Sequence, residues 1–220
     1  MRDRYSGERC FVIGNGPSLN HTNLDLLRHE FTFGLNRINL AFDRLGFKTS
    51  CLVCINRHVL EQSGAEIAAA PVPKFFSVAG VGLIPPDASD VIYMRPSASP
   101  VFSHNPVKRG VWEGATVTFV AMQLAHWFGF HRVILVGVDH SFSTKGRAHE
   151  LVTAEGPDLD HFDPRYFSSG YRWQLPDLET SEVAYGAARQ AFAASGREIV
   201  DATVEGKLAT FPKVILEDLF

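Results

Sequence analysis

The chain has 220 residues, 45% of them hydrophobic and 20% charged, with a formal net charge of −3. A chain of that length buries about 70% of its extended surface on folding, so its core needs neither disulfides nor metal, and the composition excludes global disorder. The slightly acidic balance argues against wrapping nucleic acid or coating an anionic membrane, since both favour basic surfaces.

The segment 1–9 carries no apolar signal core, and no apolar run reaches the roughly 18 residues needed to span a bilayer. The expectation is a soluble, cytoplasmic protein with no integral membrane segment; peripheral membrane association and oligomeric state are left open. Cys10, Cys51 and Cys54 are the three cysteines, an odd, low count that suits a reducing compartment. Cys51 and Cys54 have C-x-x-C spacing but fall within an apolar strand-like run, where residues three apart point to opposite faces, so both read as small core residues.

Short β-like runs alternate with helical ones. Cys10–Gly14 (CFVIG) reads as a first strand and Phe31–Leu35 (FTFGL) as a second. A helix is predicted from Ile38 to Leu45, ended by Gly46, before a third strand at Cys51–Ile55 (CLVCI). Val59 to Ala69 suits a helix stopped by Pro71. Lys74–Val78 and Val91–Met94 are further strand candidates. Ala115–Phe128 has apolar residues at helical spacing and well beyond one stripe, which predicts packing on two sides. Arg132–Val138 (RVILVGV) is a continuous apolar run, as in a central strand of a parallel sheet. Residues 141–176 are polar, aromatic and rich in Gly and Pro, without period; so long an irregular stretch in a compact domain predicts a lid or active-site loop. Leu178 to Ala194 reads as a helix and Glu198–Asp201 as a last strand. The alternation predicts a single α/β domain over 1–220: a Rossmann-like, doubly wound, mostly parallel sheet with helices on both faces.

Such sheets bind ligands outside the carboxyl ends of their strands. The first strand is followed by Gly14-Asn15-Gly16-Pro17-Ser18-Leu19. The glycines permit a tight turn and close approach to bare backbone, and N–H groups beyond Pro17 suit a phosphate. The run is neither the dinucleotide fingerprint, which wants Gly or Ala where Leu19 stands, nor a P-loop, which wants a lysine. The second strand ends at Asn36 and the third at Asn56. Three carboxamides at three successive strand ends offer donors and acceptors to a base edge, sugar hydroxyls or phosphate oxygens. Alternatively each Asn merely caps a helix or takes a left-handed turn. Asn36 stands where a dinucleotide site wants an acid, which counts against NAD.

The run Val12-Ile-Gly-Asn-Gly-Pro-Ser-Leu19, with Asn36 and Asn56, resembles the bacterial family 42 sialyltransferases. It also resembles the broader 6-hydroxymethylpterin diphosphokinase (MptE-like) group, whose members often sit in surface-polysaccharide gene sets. The segment Gly129–Asp139 is similar to the late core strand of both. The resemblance covers about 140 residues and implies a Rossmann-like nucleotide fold. For the sialyltransferases it implies a CMP-sugar donor and no required metal. Gly14, Asn15, Gly16, Ser18, Asn36 and Asn56 would then belong to the nucleotide site, with Gly114 to Thr116 lining it. The family's base is a histidine in the loop before the late helix, where two tyrosines hold the leaving phosphate. Here His161, Tyr166 and Tyr171 lie in that loop, but the residues around His161 do not match the family's pattern, so that assignment is one of position only.

Glycosyl transfer needs a base for the acceptor hydroxyl and a group to steady the departing phosphate. His161 is the first candidate base, and Asp139 with His140 the rival pair. Arg165, Tyr166, Tyr171 and Arg172 are donors suited to a phosphate, and Arg37 and Arg57 follow strand-end asparagines. No metal-ligand signature is present. The sequence therefore points to a glycosyltransferase with a nucleotide-sugar donor and a glycan acceptor, acting in surface-glycan synthesis and requiring no cofactor. The second reading is pyrophosphoryl transfer from ATP to a hydroxymethyl compound, with Mg2+ held at Asp139. The third is a non-catalytic nucleotide- or sugar-binding module.

Overall fold

A computed structural model describes all 220 residues, Met1–Phe220. In chain order the main elements are β1 (Arg9–Ile13), β2 (Thr32–Leu35), α1 (Phe42–Leu45), β3 (Cys51–Cys54), α2 (Arg57–Ala68), β4 (Lys74–Ser77), β5 (Val91–Met94), α3 (Pro106–Arg109), α4 (Val117–Phe128), β6 (Arg132–Val136), β7 (Leu151–Thr153), β8 (Arg172–Gln174), α5 (Leu178–Ala194) and β9 (Glu198–Asp201). Seven strands form one parallel sheet in the order β5-β4-β3-β2-β1-β6-β9. The chain winds outward from β1 to β5, then returns to the other side of β1 for β6 and β9. The order therefore reverses between β1 and β6, and a crevice opens there at the carboxyl ends of the two strands.

Each face of the sheet carries a core. One layer gathers α4 and α5 around Phe33, Phe75, Phe119, Phe128 and Phe130. The other gathers α2, several short 3-10 turns and the stretch Phe162–Leu175 around Phe11, Leu52 and Phe76. Cys51 lies in the first layer and Cys54 in the second, as alternating strand faces require. All three cysteines are free and buried, and burial pushes the Cys54 thiol up to about 12.

Helix α4 is buried from Thr118 to Ala125, wedged between the sheet and α5. Thr116 caps its start by accepting from the Thr118 N–H, and Gly129 ends it at φ 99°. The predicted helix over 38–45 divides into a 3-10 turn (Ile38–Ala41) and the single turn of α1, closed by Gly46 at φ 65°. The larger departure lies in 141–176. Instead of an irregular loop, β7 and β8 pair as an antiparallel hairpin, and Phe162, Tyr166, Phe167, Tyr171, Trp173 and Leu175 are buried in the second core layer. The residues before and between these anchors give no periodic signal because most of them are exposed. No helix is long and apolar enough to cross a membrane.

Candidate functional site

A cleft of about 160 Å³ opens at the crevice between β1 and β6. Gly14, Asn15 and Gly16 border it after β1, Asn36 after β2, and Gly137 through Phe142 after β6. Thr116, Val117 and Thr118 bring the start of α4, Leu178 and Ser181 the start of α5, and Asp160, His161 and Tyr166 the loop before it.

Close approach explains the glycines. The backbones after β1 and β6 are zipped by Gly14 N–H to Val136 O at 2.8 Å and Gly16 N–H to Gly137 O at 2.9 Å. A Cβ on Gly14 would strike the Gly137 carbonyl, and one on Gly16 would strike the Asp139 carboxylate. Gly16 has an ordinary φ of −68°, so space, not conformation, demands glycine there. Asp139 accepts from the Ser18 N–H at 3.0 Å and the Ser18 hydroxyl at 2.6 Å, fixing the turn that follows β1.

Three non-glycine residues of the cleft have left-handed backbone: Asn36 (φ 45°), Ala115 (φ 56°) and His140 (φ 55°). Such conformations carry strain and gather at ligand sites. The Oδ1 atoms of Asn15 and Asn36 are buried and accept no hydrogen bond. An unmet buried acceptor costs about 1–3 kcal/mol, and a ligand donor would relieve it. The first turns of α4 and α5 add N–H groups and a positive dipole end. No lysine or arginine borders the cleft.

The His161 imidazole stacks on the Tyr166 ring, centroids 3.9 Å apart, and its Nδ1 donates to Asp158 Oδ2 at 2.8 Å. A carboxylate only accepts, so a proton sits on Nδ1, and in the neutral imidazole the lone pair is then on Nε2. Asp158 is itself fixed by the N–H groups of Phe167 and Asp160. Sequence reasoning missed Asp158; its place three residues before His161 was a readable signal. Burial pushes the Tyr166 phenol far above its usual range, outweighing the opposite effect of the Asn36 amide beside it. Burial would also raise the Asp160 carboxyl, but hydrogen bonds from Ser143 and Thr144 outweigh it and hold it below the usual range. His140 donates from Nε2 to Glu182 at 3.1 Å, with its ring edge against Tyr185.

The structure thus brings together Gly14, Asn15, Gly16, Asn36, Thr116, Asp139, His140, His161 and Tyr166, with Ser18 tied in through Asp139. Gly114 (φ 53°) lies just behind this lining and packs against Ala184 and Phe119. Asn56 stands apart: its Oδ1 accepts from the His58 and Val59 N–H groups as the cap of α2. The expected phosphate quartet is dispersed, with Tyr166 alone in the cleft. Arg165 is exposed and paired with Asp163, Arg172 is exposed on β8 near Glu61, and the Tyr171 hydroxyl meets Ser63 at 3.1 Å. Arg37 is buried and donates to the carbonyls of Arg165 and Tyr166 and to Glu66, which anchors the loop. Arg57 pairs with Glu61 on the surface. No group of three or more His, Cys, Asp or Glu side chains is arranged to hold a metal ion.

No family model and no curated protein matches the chain. Among solved structures, it is similar to the MAf glycosyltransferase from Magnetospirillum magneticum AMB-1, at 14% identity and a TM-score of 0.62. The match takes in the whole of this chain and 36% of that one, so the likeness is one of fold over about a third of a longer protein.

Proposed function

We propose that the protein is a glycosyltransferase that takes a nucleotide-activated sugar in the β1–β6 cleft, with a CMP-linked sugar as the donor and a surface glycan as the product. The observation that carries this reading is the pair of unmet carboxamide oxygens, Asn15 Oδ1 and Asn36 Oδ1, at adjacent strand ends in one strained cleft. They suit ribose hydroxyls or the exocyclic amine of a base. The phosphate would lie against the N–H groups that open α4 and α5 and beside the Thr116 hydroxyl. With no lysine or arginine around it, the cleft suits the single phosphate of a CMP-sugar better than a triphosphate. The structural neighbour is a glycosyltransferase, which supports the same reaction class.

In this reading His161 Nε2 takes the proton of an acceptor hydroxyl. The acceptor oxygen bonds to the anomeric carbon as the bond from that carbon to the phosphate oxygen breaks, and the nucleotide leaves with the bonding pair. Asp158 holds the imidazole in the required tautomer and steadies its charged form. Asp139 serves the turn, since both its oxygens are committed to Ser18. The diphosphokinase reading, with Mg2+ at Asp139, would draw on the lone pairs that those two hydrogen bonds leave on the carboxylate. The deciding experiment incubates the protein with CMP-, UDP- and GDP-sugars and a glycan panel and follows nucleotide release. Release of a nucleotide coupled to glycan extension is expected; AMP release from ATP that stops in EDTA would favour the diphosphokinase instead.

A further inference from the structure

A second cavity, of about 320 Å³, adjoins the cleft. Ser143 and Thr144 border it on one side and residues 152–160 on the other. Its floor is aromatic: Phe167 and Trp173 stack with centroids 5.1 Å apart, and Trp173 is paired across the hairpin with Val152. Its lining is acidic, with Glu155 exposed, Asp160 half-buried and Asp158 buried against His161, and no lysine or arginine borders it. Asp160 borders both cavities, and Asp158 borders this one while holding the imidazole that borders the other. The two cavities meet at Asp160 and at the Asp158–His161 hydrogen bond.

We propose that this cavity is the acceptor subsite, and that it takes a neutral or amino sugar and rejects carboxylated or phosphorylated ones. The proposal rests on the donor reading of the first cleft. A sugar presents C–H faces that pack on aromatic rings and hydroxyls that donate to carboxylates and bond to Ser and Thr hydroxyls. The floor and lining supply both. Three acidic residues without a cation repel an anionic sugar and attract an ammonium. A sugar seated there lies beside the Asp158–His161 pair, next to the cleft that the imidazole borders.

Tryptophan fluorescence tests this directly, with and without saturating CMP, using N-acetylglucosamine, methyl galactoside, glucosamine, glucuronate and N-acetylneuraminate at low ionic strength. The neutral and amino sugars should shift a signal that vanishes in Trp173→Phe. They should bind about tenfold more tightly than the two anions. Glu155→Lys, an exposed change, should erase or invert that preference. No response to any neutral or amino sugar would overturn the proposal, as would equal binding of the anions. Calorimetry with CMP on the same samples separates the two failures. If CMP binds while the sugars do not, this inference alone falls. If the sugars bind while no nucleotide does, the donor reading falls and the acceptor role falls with it.

Discussion

His161 and Asp158 are joined by a 2.8 Å hydrogen bond from imidazole Nδ1 to carboxylate Oδ2, and the imidazole is stacked on Tyr166. Removing the imidazole in His161→Ala should lower transfer by 10²- to 10⁴-fold, the usual contribution of a positioned base. Nucleotide affinity should stay within about twofold. Asp158→Asn should lower kcat at least about tenfold with little change in KM, because it disturbs the tautomer and not the donor site. Steady-state kinetics on both variants check this. Unchanged turnover in His161→Ala would transfer the role to His140; no turnover in any form, with affinity intact, would favour the non-catalytic module.

Gly16 and Asp139 cannot both be kept if the glycine gains a methyl group. Gly16→Ala should push the carboxylate off Ser18, cost about 1–3 kcal/mol of stability as overpacking does, and weaken nucleotide binding. Urea denaturation and calorimetry measure the two effects. An alanine variant that binds and folds like the parent would show that the turn does not need its contact with Asp139.

Asn56 caps α2 and stands outside the cleft. Asn56→Ala should therefore cost about 1 kcal/mol of stability and leave nucleotide affinity untouched. A loss of affinity with unchanged stability would restore Asn56 to the binding set.

On the far side of α4, burial among Phe102, His104 and Phe192 drives the His126 imidazole down to about 4, with smaller contributions from Arg197 and His104. Its Nε2 lies 3.0 Å from the Ser195 hydroxyl, and Asp3 acts weakly in the opposite sense. The folded-state value lies below the ordinary 6.5, so the unfolded chain binds more protons between those limits and stability rises with pH across them. Stability should thus be complete above about pH 6.5 and fall by up to about 3 kcal/mol as pH drops toward 4. Urea midpoints at pH 7 and pH 5 should differ less in His126→Gln than in the parent; an equal difference would rule His126 out as the cause.

The sheet was legible because its strands are continuous apolar runs: CFVI, CLVC and VILV are buried on both faces, and each is followed within two residues by Gly or Asn. The cleft was half legible. Asn15 and Asn36 followed from strand ends, but Asn56 has the same sequence setting and a different fate. It is followed by a full helix whose first N–H groups take its oxygen, whereas Asn36 turns left-handed at φ 45°. The 141–176 stretch hid its structure because its buried aromatics are spaced by contacts with a second core layer and not by helix or strand period. Arg165 and Arg172 matched phosphate binding by composition alone, and their surface partners are set by tertiary placement.

The central claim is that Asn15 and Asn36 grip a nucleotide. Isothermal titration calorimetry of the protein with CMP, UDP, ADP and GDP tests it most directly, repeated on Asn15→Ala and on Asn36→Gly, which keeps the left-handed backbone accessible. One-to-one binding of at least one nucleotide, CMP foremost, is expected, weakened about tenfold in each variant, the worth of one hydrogen bond. Binding of none of the four, or binding that both variants leave unchanged, would contradict it.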